Sequence, residues 1–285
     1  MNLAVVPVVE RVRCLVGIEV ARAEGQECYG RGVKRAALFV CLLAATARAD
    51  SNDVVSRSIV VGRGAVAAEL TVEVNLAHSF KAEPLSFAPD VWWGATDALT
   101  VGLVHSNASL DRFEPGASIC VRTDDVLYCD SPYRGSGVDA RYRVVEQGAF
   151  ELAPRARVLV RDVDPFKPAL TLGALGKWTR GRYAITFDPY LQLGLANQER
   201  GNRAQLWLPV ELALQPTCRW QLALSTGWNS VLDVIEDGWH IPVAVGVRAR
   251  ATAHVDVGAT LGFATLLGPQ NTPKQRVLFV SVGWR

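Results

Sequence analysis

Residues 240–263 read HIPVAVGVRARATAHVDVGATLGF. Ile241, Val243, Val245 and Val247, then Val255, Val257, Ala259, Leu261 and Phe263, share one parity. His240, Ala244, Gly246, Arg248 and Arg250, then Asp256, Gly258, Thr260 and Gly262, share the other. A period of two is the signature of extended chain, here two strands joined by a tight turn, each with one apolar face and one small or charged face. The medium that each face meets decides the fold. An apolar face turned inward makes a soluble sandwich, and one turned outward makes a membrane barrel.

The same period returns along the chain. From Asp50 onward no stretch has a helical period, and alternation recurs in twelve segments, approximately 68–77, 84–93, 98–106, 138–146, 149–161, 168–178, 183–195, 203–214, 219–229, 239–250, 254–266 and 276–285. Their length of about ten residues exceeds that of an ordinary globular strand and, with a tilt of about 45°, spans a hydrocarbon core. The connections alternate as well. Short ones (94–97, 146–148, 180–182, 215–218, 251–253) take turns with others that are mostly longer and more polar, such as ANQERGN, VLDVIEDG and the stretch 107–137. Short turns on one rim and long loops on the other describe an outer-membrane barrel, and an even strand number brings both chain ends to the short-turn rim. The sequence therefore predicts an all-β protein, a transmembrane antiparallel up-and-down β-barrel of about 12 strands.

Charge is segregated across these strands. Leu70, Val72, Val74 and Leu76, Ile185, Phe187, Leu191 and Leu193, Leu206, Leu208, Val210 and Leu212, and Leu278, Val280 and Val282 fall on a parity that carries no charge. The opposite parity holds Glu73, Asp90, Arg141, Arg143, Glu151, Arg155, Arg157, Lys177, Asp188, Glu211, Arg248, Arg250 and Asp256. An Arg or Lys on a lipid face costs about 2–4 kcal/mol at the midplane, a penalty that enforces such segregation; a soluble sandwich segregates too, with the faces reversed. The aromatic residues separate these cases. Trp93, Phe150, Trp178, Tyr183, Trp220 and Trp284 lie on the apolar parity beside the short-turn rim, and Trp228 takes the same parity near the other rim. Core rings spread along strands, whereas interfacial rings gather at headgroup level.

The N-terminal residues carry an export pattern. Residues 31–50, RGVKRAALFVCLLAATARAD, combine a basic start, an apolar core and an Ala47-Arg48-Ala49 cleavage signature, which is the pattern of a secretory signal peptide over 33–49. Its apolar core is shorter than the ~20 residues of a spanning helix. Residues 1–32 read as a non-native or extended N-terminus, 50–67 as a periplasmic lead-in, and 68–285 as the barrel. Of 30 Lys+Arg and 28 Asp+Glu, seven and four precede Asp50, so the remainder carries 23 and 24 and a net charge of −1. No basic stripe points to nucleic acid. Among the cysteines after Asp50, Cys120 and Cys129 flank a polar octapeptide and read as a disulfide in an oxidising compartment, leaving Cys218 as a free thiol.

The signal peptide, the WWGATDALTVGL hairpin (92–103) and the closing RVLFVSVGWR (276–285) resemble a bacterial outer-membrane β-barrel of the porin-like kind. That resemblance implies residence in the outer membrane, contact with the lipid bilayer, delivery by the barrel-insertion machinery and a passive channel for small hydrophilic solutes. Family members typically end on an aromatic residue, and here Trp284 is penultimate. The charged lumen residues (Glu73, Arg141, Arg143, Arg155, Arg157, Lys177, Asp188, Glu211, Arg248, Arg250, Asp256) are then pore-lining candidates, with opposed basic and acidic walls. A closed barrel, plugged by pairing of these charges and serving as a structural or surface-interaction protein, is the alternative. An outer-membrane lipid hydrolase is a third reading, resting on VHSNAS (104–109). In that stretch His105 and Ser106 are adjacent and face opposite ways on an extended chain, so a His-activated serine is poorly served. No cofactor or metal is expected: Asp124, Asp125 and Asp130 read as a solvated acidic loop.

Overall fold

A computed structural model of the chain describes residues 54–76, 85–105, 119–122, 133, 135–269 and 272–285. The expected signal peptide, the residues before it, Ser106, Cys129 and the acidic loop lie outside the described residues. Fifteen β-segments follow in chain order: β1 (Val66–Asn75), β2 (Leu85–Gly94), β3 (Leu99–Val104), β4 (Ile119–Arg122), β5 (Gly137–Tyr142), β6 (Val145–Gln147), β7 (Phe150–Val163), β8 (Phe166–Arg180), β9 (Tyr183–Phe187), β10 (Tyr190–Gly194), β11 (Gln205–Leu214), β12 (Trp220–Val231), β13 (Trp239–Arg250), β14 (Val255–Leu267) and β15 (Thr272–Trp284). β5 with β6, and β9 with β10, are interrupted halves of single strands, and β4 stands apart from the main circuit. The result is a closed antiparallel barrel of 12 strands.

Closure is made by the first and last strands. β15 lies antiparallel to β1, from Ala68 opposite Trp284 to Asn75 opposite Val277, so the described sheet has no free edge along this seam. Most tight turns fall on the rim where β1 begins and β15 ends, and the two-residue connection Asp164-Pro165, between the paired Val163 and Phe166, lies on the other rim. Gly148 and Gly181 each take the first central position of a two-residue hairpin at φ +59°, a backbone conformation open to glycine and strained for other residues. The strand formed by β9 and β10 breaks at Asp188-Pro189, where proline has no N–H to give to the ladder. There the Asp188 N–H donates to the Pro209 carbonyl at 3.2 Å and the Pro189 carbonyl accepts from the Ala174 N–H at 3.1 Å. One element was absent from the sequence reading. β4, within the expected long loop, extends the sheet beside the Leu85–Phe87 part of β2, where the short β3 does not reach. Its short apolar run, Ile119 to Val121, is too brief to display a period.

The faces are inverted relative to a soluble protein. Leu70, Leu103, Val158, Leu172, Leu208, Leu222, Val245 and Val282 are exposed on the outside. Glu73, Asp90, Asp139, Arg155, Arg157, Asp188 and Asp256 are buried inside, each less than a tenth exposed. Such an exterior is unfavourable in water and matches hydrocarbon. The described apolar core is correspondingly small: Ile59 and Val60 with Ala153 and Leu175, Val55 with Ala184 and Ala213, and Ala244 with Ala264. Val55, Ile59 and Val60 belong to the lead-in segment, which enters the barrel.

This inversion has a direct test. Val245, mid-strand between Leu224 and Leu261, faces outward. Val245→Arg is expected to destabilise the vesicle-embedded barrel by about 2–4 kcal/mol in denaturant unfolding. Ser281→Lys, which enters the interior cavity, should cost clearly less.

Candidate pore lumen

Three layers fill the interior from the short-turn rim to the long-loop rim. In the first, the lead-in stretch 54–61 runs across the lumen. The Val55 N–H donates to Gln215 Oε1 at 2.9 Å. The Arg57 guanidinium is paired with the Asp256 carboxylate through both terminal nitrogens, Nη2 to Oδ1 at 3.0 Å. The Ser58 hydroxyl and the Ile59 N–H both donate to Glu151 Oε2 at 2.9 Å. The Val61 N–H donates to Thr100 Oγ1 at 2.8 Å. In return Lys177 Nζ donates to the Arg57 carbonyl at 2.6 Å, Arg141 to the Ile59 carbonyl at 3.1 Å and Arg143 to the Ser58 hydroxyl at 3.2 Å. These partners stand on β3, β5, β7, β8 and β14, in the stretch between β5 and β6 and just past β11, so the segment touches walls all around the barrel.

The middle layer encloses a cavity of about 320 Å³. Its basic side is organised by Asp139. That carboxylate accepts from Arg155 Nε at 2.6 Å and Arg157 Nε at 2.9 Å on one oxygen and from Trp92 Nε1 at 3.3 Å on the other, which also forms an ion pair with Arg141 at 3.1 Å. Arg155 also pairs with Asp188 across the break in its strand. The Arg141 guanidinium stands over the Trp92 ring, 5.5 Å from its centre. Trp92 lies flat against Gly102, where a Cβ would come within 2.3 Å of the ring. The facing wall is small and polar: Gly246, Gly258, Ser225, Thr260 and Ser281, with Arg248 paired to Glu69 at 3.2 Å and Glu211 accepting from the Ser225 hydroxyl at 3.3 Å.

Toward the long-loop rim the side of the lumen formed by β10 to β13 is filled by rings. Tyr190 stacks on Trp207 at 6.0 Å, and His240 meets the Trp207 ring edge-on at 6.1 Å while its Nε2 bonds Asn229 at 2.9 Å. Gly173 and Gly194, small residues on the lumen parity, give way to Tyr190 and Asn202 respectively and leave no open space there.

The pore-lining candidates fall into distinct places. Arg141, Arg155, Arg157, Glu211 and Arg248 border the cavity. Lys177 and Asp256 hold the crossing segment, and Arg143 lies near that rim, paired with Glu146 at 2.8 Å. Asp188 is fully buried behind Arg155, Glu73 is buried, and Arg250 turns to the Thr252 and Ala253 carbonyls of its own turn. Asp139, Trp92 and Glu69 were missed. Asp139 shares the parity of Arg141 and Arg143, and that parity was the available signal.

The girdle candidates take the outer face near the short-turn rim. Trp93 lies opposite Val66, Trp178 opposite Phe150, Trp220 opposite Ala249, and Trp284 opposite both Ala68 and Val255. Tyr183 closes the Gly181 hairpin. Cys120 and Cys218 are both disulfide-bonded, so Cys218 is not the free thiol expected from its isolation in sequence. His105 donates from Nδ1 to the Pro89 carbonyl at 2.7 Å, and its N–H donates to Asp90 at 2.7 Å.

A closed barrel with an apolar exterior and a charged interior is the architecture of outer-membrane porins. No protein-family model matches this sequence, and no characterised relative matches it. Solved structures do share the fold. A KdgM porin in complex with disordered oligogalacturonate aligns at TM-score 0.53 and 8% identity, over 77% of this chain and 98% of that one. A NanC porin aligns at TM-score 0.50 and 7% identity, over 76% and 99%.

The Asp139 centre predicts a large stability effect. Asp139→Asn leaves buried arginines short of a counter-charge and is expected to destabilise the barrel by about 3 kcal/mol or more. Glu69→Gln, at a partly exposed pair, should cost less than about 1 kcal/mol. Denaturant unfolding in lipid vesicles, followed by tryptophan fluorescence, measures both.

Proposed function

We propose that this protein is an outer-membrane passive channel for small hydrophilic solutes. The reading is carried by one observation: a polar, charge-lined cavity of about 320 Å³ enclosed by a wall whose outside is apolar. A solute in that cavity is surrounded by guanidinium, carboxylate and hydroxyl groups that replace part of its hydration, while the wall separates it from acyl chains. The ring of Trp93, Phe150, Trp178, Tyr183, Trp220 and Trp284 fits the headgroup level of the periplasmic leaflet. Trp284, near the chain end, is the aromatic available to the insertion machinery. The reading is non-catalytic, and the engagement of His105 Nδ1 by a backbone carbonyl supports it.

Selectivity follows from the lining. Arg141, Arg155, Arg157, Arg248 and Arg285 border the cavity with Glu69, Asp90 and Glu211, and Asp139 and Asp188 offset the arginines from behind. Near-balance of charge favours weak ion selectivity. A second reading, the closed barrel, is favoured by the segment 54–61 lying across the lumen.

Planar-bilayer recording of the refolded protein distinguishes the two: steady currents support the channel, and a folded but silent barrel rejects it. Glu211→Gln is expected to shift the reversal potential in a KCl gradient toward anion permeation, because Arg248 keeps its Glu69 partner while the facing negative charge is lost.

A further inference from the structure

The crossing segment is bonded to the barrel without being part of it. β1 begins at Val66 and is already paired on both edges, to β15 and β2, so ring closure is complete without residues 54–61. No ladder bond includes them. Their seat is built for them nevertheless. Gly94, at the end of β2, is a position where a Cβ would lie 2.0 Å from the Gly62 carbonyl oxygen and 2.5 Å from that of Val61. Its φ lies outside the left-handed region, so the requirement for glycine there is the close passage of the segment, not backbone conformation. Glu151 and Asp256, on opposite walls, each take two hydrogen bonds from the segment.

The segment is joined to β1 through Gly62, Arg63 and Gly64. Gly64 has φ +73°, and a Cβ at either glycine would meet nothing within 4 Å. The Gly64 N–H donates to the Gly94 carbonyl at 2.7 Å and the Gly62 carbonyl accepts from the Ala65 N–H at 3.0 Å; these bonds hold the turn in the seated state, and two glycines give it the backbone freedom to re-set on release. Taken together, the geometry points to residues 54–61 as a built-in closure of the short-turn mouth, hinged at Gly62 and Gly64 and released as a unit. This inference rests on the channel reading. Release would turn Glu151, Lys177 and Asp256 toward the lumen, so these side chains line the pore in the open state and clasp the strap in the closed one.

Two variants test the seat from the wall side. Gly94→Val fits a β-strand and occupies the space of the strap, and the pair Glu151→Gln with Asp256→Asn removes both charged anchors. Heat-modifiable gel migration establishes that each is folded, and either suffices if the other fails to fold. In planar bilayers the closed-to-open ratio should fall by on the order of tenfold for each charge-assisted anchor lost. A second readout is independent of current: Val60→Cys, buried in the seat, should react faster with a membrane-impermeant maleimide in either variant background, above the label taken up by the protein lacking that substitution. Faster labelling with longer open times supports the closure. Faster labelling with unchanged currents in a conducting protein overturns it and leaves the channel reading intact, and unchanged labelling in the folded variants overturns it as well. Silence of every protein despite faster labelling rejects the channel reading, and the closure falls with it.

Discussion

Within hydrocarbon there is no water to bond an unpaired peptide group, and each such group costs several kcal/mol. The antiparallel pairing of β1 with β15, eight opposed residue pairs from Ala68–Trp284 to Asn75–Val277, removes the two edges that an open sheet would leave. Most of the remaining architecture follows from that seam. It requires the first strand to begin and the last strand to end on one rim, hence an even number of strands. It also fixes parity, since a one-residue slip of β1 would carry Glu69 and Glu73 into lipid and Val72 and Val74 into the lumen.

Turning the apolar face outward leaves the inside without a hydrophobic core. Cohesion there comes from charge pairs, with Asp139 serving three arginines and an indole, and Asp188 taking up Arg155 from the next wall but one. In a soluble protein such burial contributes little, because the desolvation cost offsets the Coulomb gain. Here the alternative placement is worse: an unpaired guanidinium inside the wall or in lipid. The network therefore fixes which side chains fill the lumen and how far they extend. The cavity persists where residues are small, at Gly246, Gly258, Ala223 and Ala244, and vanishes where rings enter, at Tyr190 and Trp207.

The strand order, the twelve-strand count, the short-turn rim and the inside-out polarity were legible in sequence, because each is written in a period of two and repeated many times. Features that depend on a single residue were not. Asp139 carries the lumen parity, yet nothing local marks it as the carboxylate that three arginines share, since two of them, Arg155 and Arg157, reach it from the neighbouring strand. The β4 segment is too short for its alternation to register. The bonded state of Cys218 has no local signature, since no second cysteine lies near it in sequence. Lys177 and Asp256 were read as lumen residues from parity, and their attachment to the lead-in was hidden because residues 54–61 have no regular period and their partners lie up to 199 positions away.

The composition of that lead-in sets the balance between its seated and released states. Its aliphatic side chains gain about 25 cal/mol for every Å² withdrawn from water, which favours the seated state. The segment buries Val54, Val55, Ile59 and Val60, and the rest of its hold is hydrogen bonds from its backbone, Arg57 and Ser58 to wall side chains. Such bonds exchange for water at a net of about 0.5–1.5 kcal/mol apiece, more where a charge takes part. A wet lumen supplies that water. The Asp139 network, three arginines and an indole on one carboxylate, ties wall strand to wall strand and keeps the wall rigid while the strap moves. Rigidity and release are thus separated by connectivity: wall-to-wall pairs hold the barrel, and wall-to-strap bonds hold the closure.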